Sequence, residues 1–505
     1  MDFFARPGSK DDILKKLKEY AAGDADPHSG RLFTIAFETG REDLKEIAHK
    51  ALTLFADKNI LDFLEFPSSV RMEKEIVDIA RSLMHGDDEV VGTYTFGGTE
   101  SVFLAVKAAR DRFILSHGLG AFPEIVMPVT GHPCYDKAAE YMGLMVKRVP
   151  VDPETLEVDP NVIAGALTDN TAMIVGSAPN WPFGTVDPIP ALGEIAREKD
   201  IWLHTDGCVG GFVLPFMRKL GENIPVADFS IPGVSSISLD PHKYAFSPIG
   251  SSVVLFRKSF YKMYSTFACI RWPGYVIVNP AVLSSRSAGP LAAAWAILHY
   301  LGETGYVDLA RKMIDARDKI IPGLQRLGYR VLGRQSSCIV AFSSEEVNLF
   351  KLADVMTEKG WWFLAQRGIE DQNIPPSIHL TITPIHDKAA DHMLKDLEDA
   401  TEKVKKMPAS DVEAMVQGMG LIMKTVMPEE MGFEAIAGML GRLETDMDTY
   451  GPRIMKALGV DRGVPREMAM INEMLNSLPP EIVEPLLTYV TNELFRTGGE
   501  GPAAA

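Results

Sequence analysis

Residues 233–257 read GVSSISLDPHKYAFSPIGSSVVLFR, in which two short apolar runs flank a turn that carries His242 and Lys243. Runs of this kind, rich in β-branched residues and bounded by turn residues, predict buried strands. Four more lie upstream, with helical segments between them: EIVMPV (124–129), MVKRVPV (145–151), TAMIVGSA (171–178) and DIWLHTD (200–206). Strands that are buried on both faces and alternate with helices predict a mostly parallel α/β sheet.

Polar residues that follow these strands are candidates for chemistry, because ligands of open α/β sheets bind beyond the carboxyl ends of the strands. Lys243 follows the strand SSISLD and His242, a place where a lysine could hold a cofactor as a Schiff base. Asp206 ends the run at 200–206 and begins DGCVGGF. A carboxylate there could pair with a pyridinium nitrogen and keep it protonated, which makes the ring an electron sink.

Two further motifs suit a cofactor that has an aromatic ring and a phosphate. His132, in TGHPCYDKAAEYMG (130–143), follows a strand and opens a helix, so that its ring could lie flat on the cofactor. In TFGGTES (95–101), the glycines before a helix let backbone N–H groups approach an anion, and the helix dipole and the Thr99 hydroxyl favour its binding. We call residues 95–101 the phosphate cup.

Each of these four motifs, taken alone, also fits a plain structural role. Lys243 could be a surface lysine, and the glycine pair could form a turn with an N-cap. Asp206 could cap a turn, and His132 could lie at the edge of the core. Together they supply a phosphate cup, a stacking histidine, a strand-end carboxylate and a lysine in one domain, which favours a site for pyridoxal 5′-phosphate (PLP).

Size and composition limit the other possibilities. The chain has 505 residues and a formal net charge of −17, so two or more domains are expected and nucleic acid is not expected as a partner. The four cysteines have no CxxC spacing, which argues against a metal site and a disulfide framework. The sequence shows neither a secretory signal nor an apolar run of about 18 residues, so we expect a cytoplasmic protein with no transmembrane segment.

The pattern along the chain predicts four regions. They are an N-terminal helical segment (1–60), a large PLP-binding domain (61–300), a small α/β domain (301–408) and a helical extension (409–505). The extension is rich in methionine and has a stripe at a strict spacing of four: Met415, Met419, Met423, Met427 and Met431. Such a stripe is typical of adaptable packing, and a deformable lid or partner surface is the alternative.

The order and spacing of these motifs resemble the group II PLP-dependent decarboxylases, and among them most closely the sphingosine phosphate lyases. The likeness rests on GGTES, the TxH of 130–132, HTDGCVGGF and SLDPHKY, with further support from SAPNWPFGTVDPI (177–189), SSRSAG (284–289) and the stretch 360–383. It implies PLP fold type I, an aspartate-aminotransferase-like α/β fold, and a homodimer with shared active sites.

The resemblance also implies roles for individual residues. Lys243 would form the Schiff base, Asp206 would pair with the pyridine nitrogen, and His132 would stack on the ring. The cofactor phosphate would be held by Gly98, Thr99 and His242.

Three positions depart from the resembled lyases, which hold their substrate's phosphate with a tyrosine, a histidine and a lysine. Here the three positions read Phe33, Asp62 and Ile249, in SGRLF, NILDFLEFP and SPIG. A phosphate dianion would lose its partners there and meet a like charge, which is costly in a pocket. We therefore expect an unphosphorylated substrate, and the alternative is that Arg31 or Arg286 binds the phosphate instead.

The expected activity is cleavage of a bond at Cα of a small-molecule amine, either an amino acid or an amino alcohol. Loss of a carboxylate would make the chain an amino-acid decarboxylase, whereas Cα–Cβ cleavage of a β-hydroxy amine would make it an aldehyde-lyase. The sequence leaves both open. An aminotransferase and a non-catalytic PLP-fold scaffold are further alternatives, and the intact Lys243 and Asp206 argue against the scaffold.

Overall fold

A computed structural model describes residues 8–408, 468–478 and 480–494 of the chain. The methionine stripe lies outside these described residues, so its role stays a prediction. Within the described residues, no helix is both long and apolar enough to cross a membrane.

Seven strands form the central sheet. They are β1 (Val91–Thr95), β2 (Glu124–Pro128), β3 (Met145–Val149), β4 (Thr171–Ser177), β5 (Trp202–Asp206), β6 (Val234–Leu239) and β7 (Ser252–Phe256). Their order is β1-β7-β6-β5-β4-β2-β3, in which β7 is antiparallel to both of its neighbours and the run from β6 to β3 is parallel. The predicted mostly parallel α/β sheet is confirmed.

Both faces of this sheet are buried at β2, β4 and β7, which explains why these strands read as nearly continuous apolar runs. In β4, Met173 and Val175 pack on one side of the sheet, whereas Ile174 packs on the other. In β7, Val254 and Val253 divide in the same way. Successive strand side chains point to opposite faces, so a strand that is covered on both sides buries the side chains at both sets of positions.

Helices precede, alternate with and follow the strands of this sheet in the chain. They are α1 (Lys10–Ala21), α2 (Glu42–Phe55), α3 (Pro67–Leu83), α4 (Gly98–His117), α5 (Cys134–Met142), α6 (Pro160–Ala166), α7 (Ile189–Lys199), α8 (Leu214–Lys219), α9 (Ser259–Ser265) and α10 (Gly289–Arg326). In α3 the buried residues Met72, Ile76 and Ala80 recur every four positions, as on one face of an amphipathic helix. By contrast, α1 forms where its pattern predicts but buries none of its residues.

A two-stranded hairpin and a second sheet complete the strands of the described residues. The hairpin pairs β8 (Phe267–Cys269) with β9 (Ile277–Asn279). The second sheet is antiparallel, in the order β10-β11-β13-β12, with β10 (Arg330–Leu332), β11 (Ile339–Ser343), β12 (Leu364–Gln366) and β13 (Ser377–Thr381). Its helices are α11 (Leu349–Glu358) and α12 (His386–Lys405).

The predicted domain boundaries stay predictions, although two features bear on them. Helix α10 runs through residue 300 and is broken at Gly302, whose φ of 54° is left-handed. Near the C-terminus, α13 (Ala469–Ser477) and α14 (Pro480–Leu494) follow the residues that the structure leaves undescribed. Asp354 accepts the Met468 and Ala469 N–H groups at 3.0 and 2.8 Å, which fixes the start of α13 on α11.

Candidate active site

Strands β4, β5 and β6 end side by side, and the predicted site residues lie just beyond them. Ser177 of β4 pairs with Asp206 of β5, and Asp206 pairs in turn with Ser238 of β6. Lys243 lies in the turn after β6. Because these strands are parallel, their carboxyl ends meet at one edge of the sheet, where a ligand can bind.

A cavity of about 430 Å³ opens at this edge, within the size range of ligand pockets. It brings together all six residues that the resemblance assigns to the cofactor: Gly98, Thr99, His132, Asp206, His242 and Lys243. The remaining walls include Ile35, Phe37, Phe96, Cys134, Ser177, Trp181, Cys208, Asp240 and Ile249.

Lys243 is held at the cavity wall by a buried carboxylate. Its Nζ lies 3.1 Å from Oδ2 of Asp240, whose side chain is 1% exposed. Burial lowers the pKa of Lys243, but the nearby negative charges of Asp240 and Asp206 raise it by more than burial lowers it. The pKa of Lys243 therefore lies above its ordinary value. The amine is 5.9 Å from the centre of the Trp181 ring. Because its pKa is raised, the Lys243 amine favours the charged form when it is not bound to a cofactor.

Buried hydroxyls link Asp240 to the phosphate cup. Ser252 donates to Oδ1 of Asp240 over 2.6 Å. The hydroxyls of Ser252 and Ser101 lie 2.7 Å apart, and the same distance separates Ser101 from the Thr95 hydroxyl. Since Ser101 is on the first turn of α4, this network fixes the cup relative to the turn that carries Lys243.

Asp206 is a buried carboxylate with an N–H donor and nearby basic groups. Its Oδ1 accepts the Cys208 N–H at 3.1 Å. Burial raises the pKa of Asp206, but His204, Lys243 and His132 lower it, and the net pKa lies below its ordinary value. Asp206 is therefore ionised, which is the form that can hold a proton on a pyridine nitrogen.

The two histidines of the cavity are neutral. Nδ1 of His132 accepts the Cys134 N–H at 3.2 Å, and Nδ1 of His242 accepts the Ser251 N–H at 3.3 Å. The pKa of each imidazole is lowered, mainly because burial disfavours the charged ring. With Nδ1 accepting, these hydrogen bonds assign the proton to Nε2, so each ring presents an N–H donor.

A glycine without room for a side chain shapes the phosphate cup. A Cβ added at Gly98 would lie 2.6 Å from Oδ2 of Asp240 and 3.0 Å from Sγ of Cys208. A Cβ added at Gly97 would meet nothing within 4 Å. Helix α4 begins at Gly98, and the first N–H groups of a helix lack intrahelical partners, so they can bind an anion.

The small-domain sheet supports the cavity from one side. The Trp181 ring lies 4.5 Å from the ring of His379 on β13. The hydroxyl of Tyr244, next to Lys243, donates to the Ile382 carbonyl at 3.0 Å and lies 3.4 Å from the Cys338 carbonyl. Both a cavity wall and the lysine turn are therefore attached to the second sheet.

The structure separates the four residues predicted for the substrate pocket. Ile249 lines the cavity and is 84% exposed. Phe33 is instead fully buried, and its ring stacks on His386 at 3.8 Å. Asp62 is exposed and accepts from Asn59 at 2.8 Å, outside the cavity lining.

Arg286, the fourth of these residues, is 6% exposed and donates to the Tyr94 carbonyl at 3.3 Å. It also lies outside the cavity lining of this subunit. Phe33, Asp62 and Arg286 therefore lie outside the lining of this cavity, and their assignment to the substrate pocket stays a prediction. Core packing holds Phe33, and hydrogen bonds with Asn59 and with the Tyr94 carbonyl hold Asp62 and Arg286.

The sequence pattern could predict some of the other cavity residues but not all of them. Asp240 precedes Lys243 by three residues, a spacing that brings two side chains together across a tight turn, and this signal could have been used. Trp181 contacts Lys243 and His379 only through the tertiary fold. Ile35 and Phe37 lie in an irregular segment, where no periodicity indicates which side chains face a cavity.

A family model described as "Pyridoxal-dependent decarboxylase conserved domain" matches residues 11–317, which include all six cofactor-site residues. The chain belongs to the pyridoxal-dependent decarboxylase family. PLP is accordingly its cofactor, and the chain is an enzyme of the PLP-dependent lyase class.

Relatives with curated names indicate which members of the family this pyridoxal-dependent decarboxylase is similar to. It is 38% identical to the sphingosine-1-phosphate lyase of Arabidopsis thaliana, over 79% of this chain and 73% of that protein. It is 35% identical to sphingosine-1-phosphate lyase 1 of Rattus norvegicus, over 81% of this chain and 71% of that protein. The predicted family resemblance is confirmed.

Solved structures agree. A sphingosine-1-phosphate lyase from Burkholderia pseudomallei superimposes with a TM-score of 0.75 and 33% identity, covering 85% of this chain and 97% of that one. A glutamate decarboxylase from Lactobacillus brevis shares the fold with a TM-score of 0.71 at 20% identity, covering 81% and 96%. The predicted PLP fold type I architecture is confirmed.

A second family model, described as "Pyridoxal-dependent enzyme, C-terminal putative HTH domain", matches residues 393–493. It spans most of α12, all of α13 and most of α14, and residues 409–467 of it lie outside the described ones. The expectation that nucleic acid is not a partner stays a prediction.

The residues present fit PLP. The cup offers free helix N–H groups and the Thr99 hydroxyl, and Gly98 has no side chain to hinder the close approach of the backbone. Asp206 is ionised at the end of its strand, and Lys243 faces the same cavity. A phosphate, a ring nitrogen and an aldehyde carbon thus each find a chemically matched partner.

Proposed function

We propose that this enzyme is an aldehyde-lyase that cleaves the Cα–Cβ bond of a β-hydroxy amine without a phosphate group. The supporting observation for the reaction type is the level of sequence identity. Proteins named sphingosine-1-phosphate lyase are 33–38% identical in the comparisons above, whereas the solved glutamate decarboxylase is only 20% identical. The lower value supports a shared fold but no shared reaction.

The residues of the cavity would divide the work as follows. The phosphate of PLP would be held by the first N–H groups of α4, the Thr99 hydroxyl and the Nε2–H of His242. Asp206 would keep a proton on the ring nitrogen, and His132 would stack on the ring. The chemistry that PLP supplies when bound is an electron sink for the pair released at Cα.

Lys243 would carry the protons of the reaction. When the substrate amine replaces it, Lys243 would be released as a neutral amine, and its raised pKa favours the uptake of a proton by that amine. It would take the proton of the β-hydroxyl as the Cα–Cβ bond breaks, and it would return a proton to Cα. Asp240, 3.1 Å from Nζ, would stabilise the resulting ammonium.

The proposal of an unphosphorylated substrate rests on the cavity walls. Of the three positions where the resembled lyases hold phosphate, only Ile249 lines the cavity, and its side chain is an alkyl group. Charge-assisted bonds to a phosphate are among the strongest polar contacts, so their loss should be decisive for affinity.

The two alternative cations are engaged elsewhere in this subunit. Arg31 donates to the Lys359 carbonyl at 2.8 Å and lies 4.9 Å from the Trp361 ring. Arg286 is bonded to the Tyr94 carbonyl. Neither lines the cavity, which argues against phosphate binding by either of them.

The deciding experiment is product analysis by mass spectrometry with the purified holoenzyme. The panel contains β-hydroxy amines with and without a phosphate, and amino acids. We expect an aldehyde from unphosphorylated β-hydroxy amines. Efficient turnover of the phosphorylated compounds would refute the substrate proposal, and carbon dioxide from an amino acid would refute the reaction type.

A gain-of-affinity variant tests the cavity wall directly. Ile249→Lys places a cation where the resembled lyases have one, so inhibition by a phosphorylated amino alcohol should become at least about tenfold tighter. Ile35→Lys is the matched control, because Ile35 is also exposed and lines the same cavity. Equal effects from both lysines would show only a general charge attraction.

Amino-acid decarboxylation is the second candidate function, favoured by the same lack of phosphate-binding side chains. An amino acid presents a carboxylate at Cα and needs no phosphate site. The product panel separates the two reactions, because only decarboxylation shortens the substrate by carbon dioxide.

A further inference from the structure

The Glu100 carboxylate, which has no part in the chemistry above, binds two separate segments of the chain. Its Oε2 accepts the Phe96 N–H at 2.7 Å. Its Oε1 accepts two further N–H groups, those of Val282 at 2.9 Å and Leu283 at 3.0 Å. One half-buried side chain therefore takes three backbone donors, which is most of what a carboxylate can accept.

The first segment is the phosphate cup, to which both Glu100 and Phe96 belong. The second is the end of residues 267–283, which we call the arm and which consist of β8, its turn and β9 with the following residues. Asn279 closes this end, since its side chain accepts the Ala281 N–H at 3.1 Å and donates to the Leu283 carbonyl at 3.0 Å.

The arm has an unusually apolar surface. Eight of its large hydrophobic side chains are at least 43% exposed: Phe267, Ile270, Trp272, Tyr275, Val276, Val278, Val282 and Leu283. A contiguous stretch of this kind marks a surface that contacts something else. Its position should therefore matter to the enzyme.

We infer that Glu100 is a positioning residue that couples occupation of the phosphate cup to the placement of the arm. A phosphate that orders the cup also orders the carboxylate that is attached to it, and that carboxylate fixes the end of the arm. Coupling between two sites is reciprocal, so an ordered arm must also favour cofactor binding. The inference does not depend on which substrate the enzyme uses.

Trypsin reports on the arm independently of activity, because Arg271 is the arm's only lysine or arginine and is exposed in the single subunit. Cleavage after Arg271 is followed by mass spectrometry in the apo and PLP-saturated wild type, at one protein concentration. We expect PLP to slow this cleavage by about tenfold, the change typical of losing one or two charge-assisted hydrogen bonds.

Glu100→Gln should remove the coupling, since the amide nitrogen cannot accept an N–H group. PLP, titrated by the visible absorbance of the bound cofactor, should bind about tenfold more weakly. At saturation PLP should no longer slow cleavage after Arg271. Glu73→Gln is the matched control, because Glu73 accepts the Tyr94 N–H at 3.0 Å next to the cup. This control should behave as wild type in both assays.

A second variant keeps the inference testable if Glu100→Gln folds poorly. Asn279→Ala opens the end of the arm and leaves the cup intact, so PLP should still bind but should protect Arg271 less. Full protection of Arg271 by PLP in either variant would overturn the inference. A loss of protection in Glu73→Gln as well would reduce the role of Glu100 to general support of the fold.

Discussion

At the residue scale, two buried carboxylates act on one lysine in different ways. Asp240 touches the Lys243 amine, whereas Asp206 ends the strand beside it and is ionised because basic groups surround it. Two carboxylates with separate partners can hold separate protons, one on the lysine and one on the cofactor ring. The roles of Lys243 and Asp206 can therefore be tested one at a time.

Reduction of the holoenzyme with borohydride should place the pyridoxyl group on Lys243, because its amine faces the cavity that contains the cup. Peptide mapping by mass spectrometry reads the modified residue. Lys262 serves as the internal control, since its amine is bonded to the Gly92 carbonyl away from the cavity. A label on any other lysine would overturn the assignment.

Asp206→Asn should leave the fold and part of the PLP binding intact and should lower kcat by about 10²-fold or more, as when one preorganised electrostatic partner is removed. An uncharged amide cannot keep the ring nitrogen protonated. Steady-state kinetics at saturating PLP measure the effect, and circular dichroism checks the fold. A kcat close to that of wild type would remove Asp206 from the mechanism.

At the scale of helices and strands, the sequence was a good guide wherever an element ends at the sheet edge. Asp206 and Lys243 could be located because each follows a buried apolar run, and parallel strands bring such positions together. Phe33 could not be located, because its segment is irregular and its stacking on His386 is a tertiary contact. Patterns predict which face of a regular element is buried, and they carry no such information for loops.

The start of α4 offers a matched pair of glycines. Gly98→Ala should weaken PLP binding by at least about tenfold, because the new methyl group would lie 2.6 Å from Asp240 and the cup would have to shift. Gly97→Ala should change it little, since nothing lies within 4 Å of the added carbon. Spectroscopic PLP titration compares the two, and equal affinities would contradict the tight cup.

The loop between β4 and α7 contains a carboxyl group that titrates near neutral pH. Asp187 is fully buried, its Oδ2 accepts the Ser177 N–H at 2.7 Å, and burial raises its pKa to about 7. Between about pH 4 and about pH 7 the Asp187 carboxyl is protonated in the folded state and ionised in the unfolded state. The free energy of unfolding therefore falls as the pH rises through this range.

Asp187→Asn should remove that pH dependence. The difference in free energy of unfolding, variant minus wild type, should increase by about 2 to 3 kcal/mol from pH 5 to pH 8. Denaturant unfolding at the two pH values measures it. A constant difference between the two proteins would show that Asp187 titrates at an ordinary pKa in the folded state.

At the scale of the whole molecule, apolar surface remains uncovered in the N-terminal helical segment and in the arm. The helix α1 exposes Ile13, Leu14, Leu17 and Tyr20, and the arm exposes eight more large side chains. A monomer seldom leaves so many large apolar side chains exposed to water. We therefore propose the homodimer that the family resemblance implies, with the arm as part of its interface.

Light scattering at assay concentration should give the mass of a dimer. Ile270→Lys combined with Tyr275→Lys should shift it toward monomer and lower activity, because two charges would have to be buried in an apolar interface. Leu119→Lys is the control, since Leu119 is 97% exposed outside the arm. A fully active monomer would contradict the proposal.

The hydrogen bond from Tyr244 to the second sheet has a consequence for evolution within the family. Its acceptors are the backbone carbonyls of residues 382 and 338, and no side chain of the small domain takes part. Any amino acid can supply a carbonyl, so most substitutions at these two sites preserve the bond as long as the strands stay in place. The sequence of the small domain can therefore change between relatives while Tyr244 keeps the same two acceptors. For the same reason, a chimera that carries the small domain of a relative should retain this hydrogen bond.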